Sequence, residues 1–562
     1  MTEKQCCEKT DDEIWNNYNL YTSTNEYTDE KNIDFQGQIP DWLKGNLYRN
    51  GPGAHEINND PATTFSHIFD GFAYIQKYSI DGSSQTLQFR GSFVKSRTYT
   101  ESVKNGRLMT RQFGTDPCKS IFGRFQSFFY GKDPAMSTDD TGVTVQMVQN
   151  ELLALTEIPV GNVLDPNTLE PIGPLVTLPY GRPKDSTIMS TTTAHVMYDA
   201  KRKMTVGYSS RMTNNGSFID VAFIPEELSA DDKKDNDDDD DQFDKLLAAD
   251  RRFLHLTTGM NERAKNYNRR IKNTTKAFRF PSPNTCYMHS ASLSENYLIL
   301  SEIPYHFAKL SGLWCLMTGG LASSMFQWNG DTMPTYFRVI SLDTGEQVAY
   351  IPGPAFFHFH HINSYEFDEN TKKIIVDICA FDDPRIISEL YVDKLRQNIF
   401  PSGAGYVRRF ELDLEANTCV EPNMNAREPK GSHCFSHAHS LVPVQFELPR
   451  INPNYNGKPY RYVYADRATP GRLFDALIKL DLQTKEEVNK WEEPYTSPSE
   501  PIFVPRPDAS DAEEDDGVVL SIILDQKGKR SFLLVLDGKT FKELARAYLP
   551  VHIPASFHGN FY

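Results

Sequence analysis

The chain has 562 residues, 39% of them apolar and 12% aromatic, and 59 Lys and Arg against 75 Asp and Glu give a formal charge of −16. A chain this long buries an ample core, and at roughly one domain per 150 residues it holds three or four domains unless a single large β architecture takes all of it. The acidity argues against nucleic acid as a partner, because phosphate binding needs lysines and arginines gathered on one face.

The start, MTEKQCCEKTDDEIW, is polar and acidic, with neither the charged and apolar regions of a secretory signal nor an Arg-rich transit pattern. Residues 1–33 read as a polar extension ahead of a single domain over 34–562. The eight cysteines show no CxxC pair and no regular spacing, which suits a reduced, cytoplasmic chain that is not secreted. A first β-type run, FAYIQKYSIDG, follows the turn-rich GQIPDWLKGNLYRNGPG. Residues 116–132, DPCKSIFGRFQSFFYGK, then change the pattern: Ile121, Phe125, Phe128 and Phe129 share one face of a helix near 118–130, with Lys119, Arg124 and Lys132 around it. That pattern fits a core-facing helix and an amphipathic surface that dips into a bilayer interface equally well.

Next come LLALTEIPVG and TTTAHVMYD, and then the acidic stretch 226–250, where twelve acidic side chains face three lysines. It contributes −9 and leaves −7 for the rest of the chain. Residues 226–251 are a helix candidate, but DDKKDNDDDDD at 231–241 reads as a self-repelling, solvated loop. It lacks the glycine and the final glutamate of an EF-hand calcium loop. Residues 310–330 carry no charge, yet about half of them are polar or glycine, so a membrane-spanning helix is disfavoured. Phe326 and Trp328 there, like Phe128, suit tunnel or membrane contact as well as ordinary packing. Beyond lie FFHFHHINSYE, KIIVDICAFDD, a helix candidate at 384–398, and the strand-like runs YRYVYAD, GVVLSIILDQKG and SFLLVLDGKTF.

Strands of this length, bounded by turn residues over more than 500 positions, indicate a series of β sandwiches or a propeller. No strict sequence repeat marks a WD or kelch array, and too few helical patterns intervene for a parallel α/β fold.

Of the fourteen histidines, none forms an HExxH motif that would place two ligands on one helix. Metal ligands in a propeller would come one per blade, from inner strands near the axis. His195, His289, the group His358, His360 and His361, and His558 are isolated in β context, as that arrangement requires. On an uninterrupted strand His358 and His360 share a face and His361 points away. Core or hydrogen-bonded histidines would show the same spacing.

TAHVMYD, YMHSASLSENYLILSEIP, FHHINSYEFD and FHGNFY, with GQIPDWLKGNLYRNGPG, HIFDGFAYIQKYSI and PSEPIFVPRPDASDAEEDDGVVLSIIL, resemble the signatures of the carotenoid cleavage oxygenase family, in particular its animal branch. The resemblance implies an all-β, seven-bladed β-propeller with a helical and loop cap over an axial iron site. It implies one Fe2+ per subunit, held by His195, His289, His360 and His558; the third motif, His-x-x-Asn, selects His360 with Asn363 and leaves out His361. Glu157, Glu447 and Glu500 match the carboxylates that hydrogen-bond the ligand imidazoles, and Thr156 a residue that shapes one iron position. No side chain acts as acid or base.

The implied activity is cleavage of a carotenoid double bond with O2 as co-substrate, giving apocarotenal or retinal aldehydes. A retinoid isomerohydrolase acting on all-trans retinyl esters and a non-catalytic carotenoid-binding propeller are the alternatives; CAFDDPRIISELYVDKLR favours the oxygenase. A lipophilic carotenoid or retinoid substrate suits a cytoplasmic enzyme peripherally attached to a membrane, with no specific protein partner. Cys118, in GTDPCK, lies where some relatives carry an acyl chain, although Thr115 replaces the usual proline; acylation is left open. The 226–250 stretch reads as an insertion between two ligand segments, placed away from the Phe-rich 116–132 face.

Overall fold

A computed structural model of the chain describes residues 20–115, 138–175, 187–226, 261–308, 312, 322–368, 372–422, 440–469, 472–507 and 513–562. Among them, seven antiparallel sheets of four to six strands follow one another along the chain, the blades of a seven-bladed β-propeller. The strands form where branched and aromatic residues run together. Gly517–Asp525 (GVVLSIILD) is buried at every position but the last, because each blade packs a neighbour on both faces and leaves no solvent side for alternation. Tyr464 and Leu477 of the sixth blade meet Phe503, Val519 and Phe532 of the seventh in one such inter-blade layer.

The two chain ends close the ring by exchange. Gln36–Gly37 adds to the seventh blade through Ala545 and Arg546, and Gly559–Phe561 adds to the first through Lys44–Arg49. The closure sets His558 at the head of the innermost strand of the first blade.

The domain begins earlier than position 34. Asn32–Asp34 is an edge strand of the first blade on Thr86–Gln88, Tyr27 bridges to Gly91, and Leu20 and Tyr21 are buried in the largest core cluster. Those apolar side chains, scattered in a polar stretch, tie down a segment that composition alone assigns to an extension.

Helices differ in detail from expectation. Residues 384–398 form two short helices, Arg385–Glu389 and Val392–Arg396, not one. The break has a cause: Tyr391 runs extended and bridges to His67, with Ile68 N donating to the Leu390 carbonyl and Val392 N to that of Ser66. A 13-residue helix, Glu262–Thr274, was not anticipated. Asn261 caps it, and its buried face is Ala264, Tyr267, Asn268 and Ile271, a stripe too polar to stand out in the sequence. The helix candidates 118–130 and 226–251 (all but its first residue), the acidic loop 231–241, Cys118 and the proposed membrane contacts Ile121, Phe125, Phe128 and Phe129 lie outside the described residues.

Candidate metal centre

The seven residues expected at the site fall one to a blade, on or beside its strands: His558 with the first, then Glu157, His195, His289, His360, Glu447 and Glu500 in order. Regular ladders cannot bring such residues together where strands crowd, and several of the strands are broken at these positions. His195 lies between Thr187–Thr192 and Met197–Asp199, and Glu500 between Thr496–Ser497 and Ile502–Pro505. His360 and Glu447 sit at register shifts in their own strands. At the second of these, Leu448 takes a left-handed φ of 54°, a costly conformation for a branched side chain that the bulge imposes.

The ligating nitrogens of His195, His289, His360 and His558 all lie within 4.8 Å of one another. Nε2 of His195 is 2.9 Å from that of His289, and Nε2 of His360 is 3.3 Å from that of His558. With metal–nitrogen bonds of about 2.1 Å, neighbouring ligands on an octahedral ion stand about 3.0 Å apart and opposite ones about 4.2 Å, so the ring matches one metal ion.

The protons are accounted for on the far side of the rings. His289 Nδ1 donates to Glu157 (2.5 Å), His360 Nδ1 to Glu447 (2.6 Å) and His558 Nδ1 to Glu500 (2.9 Å). Each carboxylate fixes one tautomer, leaving a bare Nε2 lone pair turned inward. Lone pairs facing one another at these distances repel unless a cation lies between them, so the donor set suits a metal. Among the described residues no carboxylate bonds the His195 ring; Thr193 Oγ1 accepts its backbone N–H and donates to the His289 carbonyl, locking the two segments together. Burial and neighbouring imidazoles hold His195 and His558 well below the usual histidine range, hence neutral and able to coordinate.

The glutamates are themselves anchored. Glu447 accepts from the Leu448 N–H and Glu500 from that of Gly559. Glu157 accepts from the Tyr287 hydroxyl at 2.9 and 3.1 Å. Tyr287 was not singled out in the sequence; its position two residues before His289 on an extended segment is the one available signal.

The trio at 358–361 departs from simple alternation. Three steps from His358 to His361 pair with two from Ala380 to Ile378, and the extra residue reverses the parity of the strand. His358 and His361 therefore face each other edge to face at 4.9 Å, while His360 alone turns to the axis. His361 is held by the hydroxyls of Ser292 and Ser301, and Asn363 ties the 455–458 turn through the Tyr455 and Lys458 carbonyls.

A cavity of about 400 Å³ opens on His289, His360 and His558, with Thr156 and Glu157 in its wall. Its sides are largely apolar, built from Phe69, Phe113, Met189, Phe359, Phe381 and Phe557. Phe326 and Trp328 instead pack in the Tyr305–Phe307 ribbon, Phe326 against Tyr287 and Tyr305.

Asp140 also lines the cavity, and burial pushes its carboxyl up to about 7 from 3.8. A raised carboxyl contributes most to stability at low pH, and that contribution is lost as pH rises from about 4 through about 7. The Asp140→Asn variant should therefore gain on the wild type with rising pH, its Tm advantage larger at pH 8 than at pH 5; a pH-independent difference would contradict this.

Seven blades converging on four imidazoles braced by carboxylates define an axial tetra-histidine propeller. The chain belongs to the retinal pigment epithelial membrane protein family, whose model matches residues 21–562. It is 29% identical to the beta,beta-carotene 15,15'-dioxygenase of Gallus gallus over 95% of this chain and 96% of that protein. It is 30% identical to the corresponding enzyme of Rattus norvegicus (93% and 88%), and 29% identical to a carotenoid isomerooxygenase of Galleria mellonella (98% and 96%). Among solved structures, a cobalt-substituted Synechocystis apocarotenoid oxygenase superposes with a TM-score of 0.73 over 97% of this chain and 98% of that one, at 23% identity, and so shares the fold.

Proposed function

We propose that this protein is an iron(II)-dependent dioxygenase that cleaves a double bond of a carotenoid to give retinal or apocarotenal aldehydes. The observation that carries the reading is the ring of four inward-facing Nε2 atoms opening on an aromatic cavity. His195, His289, His360 and His558 would hold the ion, with Glu157, Glu447 and Glu500 orienting three of the rings. When bound, ferrous iron supplies the site at which O2 is held and activated beside the polyene.

The chain's own part is positional. Four neutral imidazoles leave the metal charge uncompensated at its first contacts, and three carboxylates keep the imidazole protons away from it. Phe69, Phe359 and Phe557 present apolar rings that fit a conjugated chain and exclude water, while Thr156 narrows the approach. The net reaction adds one oxygen atom to each carbon of the broken double bond. No proton enters or leaves, so the site needs no acid or base, and the Tyr287 hydroxyl is committed to Glu157.

The lipophilic substrate calls for a membrane source. Among the described residues no helix is long and apolar enough to cross a membrane. The Phe-rich, cation-flanked 116–132 segment is the part of the sequence suited to peripheral attachment from the cytoplasm.

Parallel incubations with β-carotene and with all-trans retinyl ester, in air and under argon, test the reading. Aldehydes from the carotenoid in air alone are expected. Retinol formed from the ester without O2 would assign the site to isomerohydrolysis instead.

A further inference from the structure

The three glutamates are not equivalent. Glu157 meets a tyrosine hydroxyl and Glu447 a backbone N–H, but Glu500 also meets a guanidinium: Arg450 Nε stands 3.4 Å from the same oxygen that accepts His558 Nδ1. Arg450 is held there by the Gly559 carbonyl and by Asn560 Oδ1 (3.0 Å), both on the strand that begins just after His558. It ends the strand Phe446–Arg450 that also carries Glu447. One strand of the sixth blade thus reaches two ligand arms, His360 through Glu447 and His558 through Glu500. The other nearby guanidinium, Arg49, is fully buried and donates to the Glu500 and Phe557 carbonyls and the Ser556 hydroxyl, not to a carboxylate.

Glu447 and Glu500 are buried and Glu157 is partly exposed, so three carboxylates stand behind the imidazole ring, and one of them, Glu500, has the Arg450 guanidinium at its imidazole-bonded oxygen. Carboxylate charge passed through an imidazole enriches the metal in electron density and favours the ferric over the ferrous state. A cation on one carboxylate opposes this, and it acts at close range in a medium of low polarity. We propose that Arg450 is a positioning residue of the metal centre, which holds the Glu500–His558 arm and, by offsetting the charge of Glu500, keeps bound iron ferrous. Arg450 borders a second cavity of about 1040 Å³ whose walls include Val196, Ile362 and Asn560, each one or two residues beyond a ligand.

This rests on the iron reading above, and the test separates the two. Wild type, Arg450→Gln, Arg450→Lys and Arg450→Gln/Glu500→Gln proteins are loaded anaerobically with ferrous iron, assayed for metal content, and exposed to air without substrate. Growth of the ferric electron paramagnetic resonance signal is then followed. Arg450→Gln should oxidise about tenfold faster than wild type, with Arg450→Lys within about twofold of it and the double variant restored toward it. Asn560→Ala, which loosens the guanidinium without deleting it, should shift the rate the same way and covers the case in which Arg450→Gln does not fold. Iron-loaded Arg450→Gln or Asn560→Ala oxidising at the wild-type rate would overturn the proposal, as would a double variant as fast as the single one. Wild-type protein that takes up no iron overturns the iron reading and this inference with it.

Discussion

Replacing His360 by alanine should leave the purified protein without stoichiometric iron and lower carotenoid cleavage on the order of a thousandfold, beyond the 10–100-fold typical of losing a group behind a ligand. Two losses combine. One of four converging Nε2 donors disappears, and Glu447 keeps its buried carboxylate but loses the imidazole that accounts for its 2.6 Å hydrogen bond. The neighbouring His361→Ala is the control. His361 bonds Ser292 and Ser301 on the other side of the strand, so its loss should lower thermal stability while iron content stays near one per chain. Metal analysis of the two variants decides the point: iron lost from His361→Ala and kept by His360→Ala would reverse the assignment.

Glu447→Gln should weaken iron binding about 10–100-fold, measured by competition with a ferrous chelator, with a smaller change in the melting temperature. The amide keeps the shape and can still accept from His360 Nδ1, but the charge that makes the imidazole a strong donor is gone. The Glu447 side chain is 11% exposed and that of Glu157 is 21% exposed, so water screens Glu157 more. Glu157→Gln should therefore cost less than Glu447→Gln; equal affinities in wild type and Glu447→Gln would contradict the role given to the carboxylate.

The blades were legible because inner and middle strands are buried on both faces, and runs such as GVVLSIILD have no other use in a chain of this composition. The ligands are a different matter. His195, His289, His360 and His558 lie on separate blades, and no local pattern joins them; family motifs pointed to them where spacing alone did not. Choosing among His358, His360 and His361 by alternation fails for a physical reason. The bulge opposite Ala380–Ile378 belongs to the pairing of two strands and leaves no mark in the sequence of one. Arg450 was equally hidden. Its place in FELPRIN shows a cation three residues after Glu447, but its contact with Glu500 arises only when the C-terminal strand closes the ring. Leu20 and Tyr21 were hidden for a similar reason, since their burial depends on partners distant in sequence.

The account stands most directly on the fate of molecular oxygen. In a single-turnover reaction with β-carotene under oxygen-18 gas, trapped at once with borohydride so that the aldehydes cannot exchange with water, each of the two product alcohols should carry one oxygen-18 atom. Label in only one product, or in neither, would contradict cleavage by a dioxygenase.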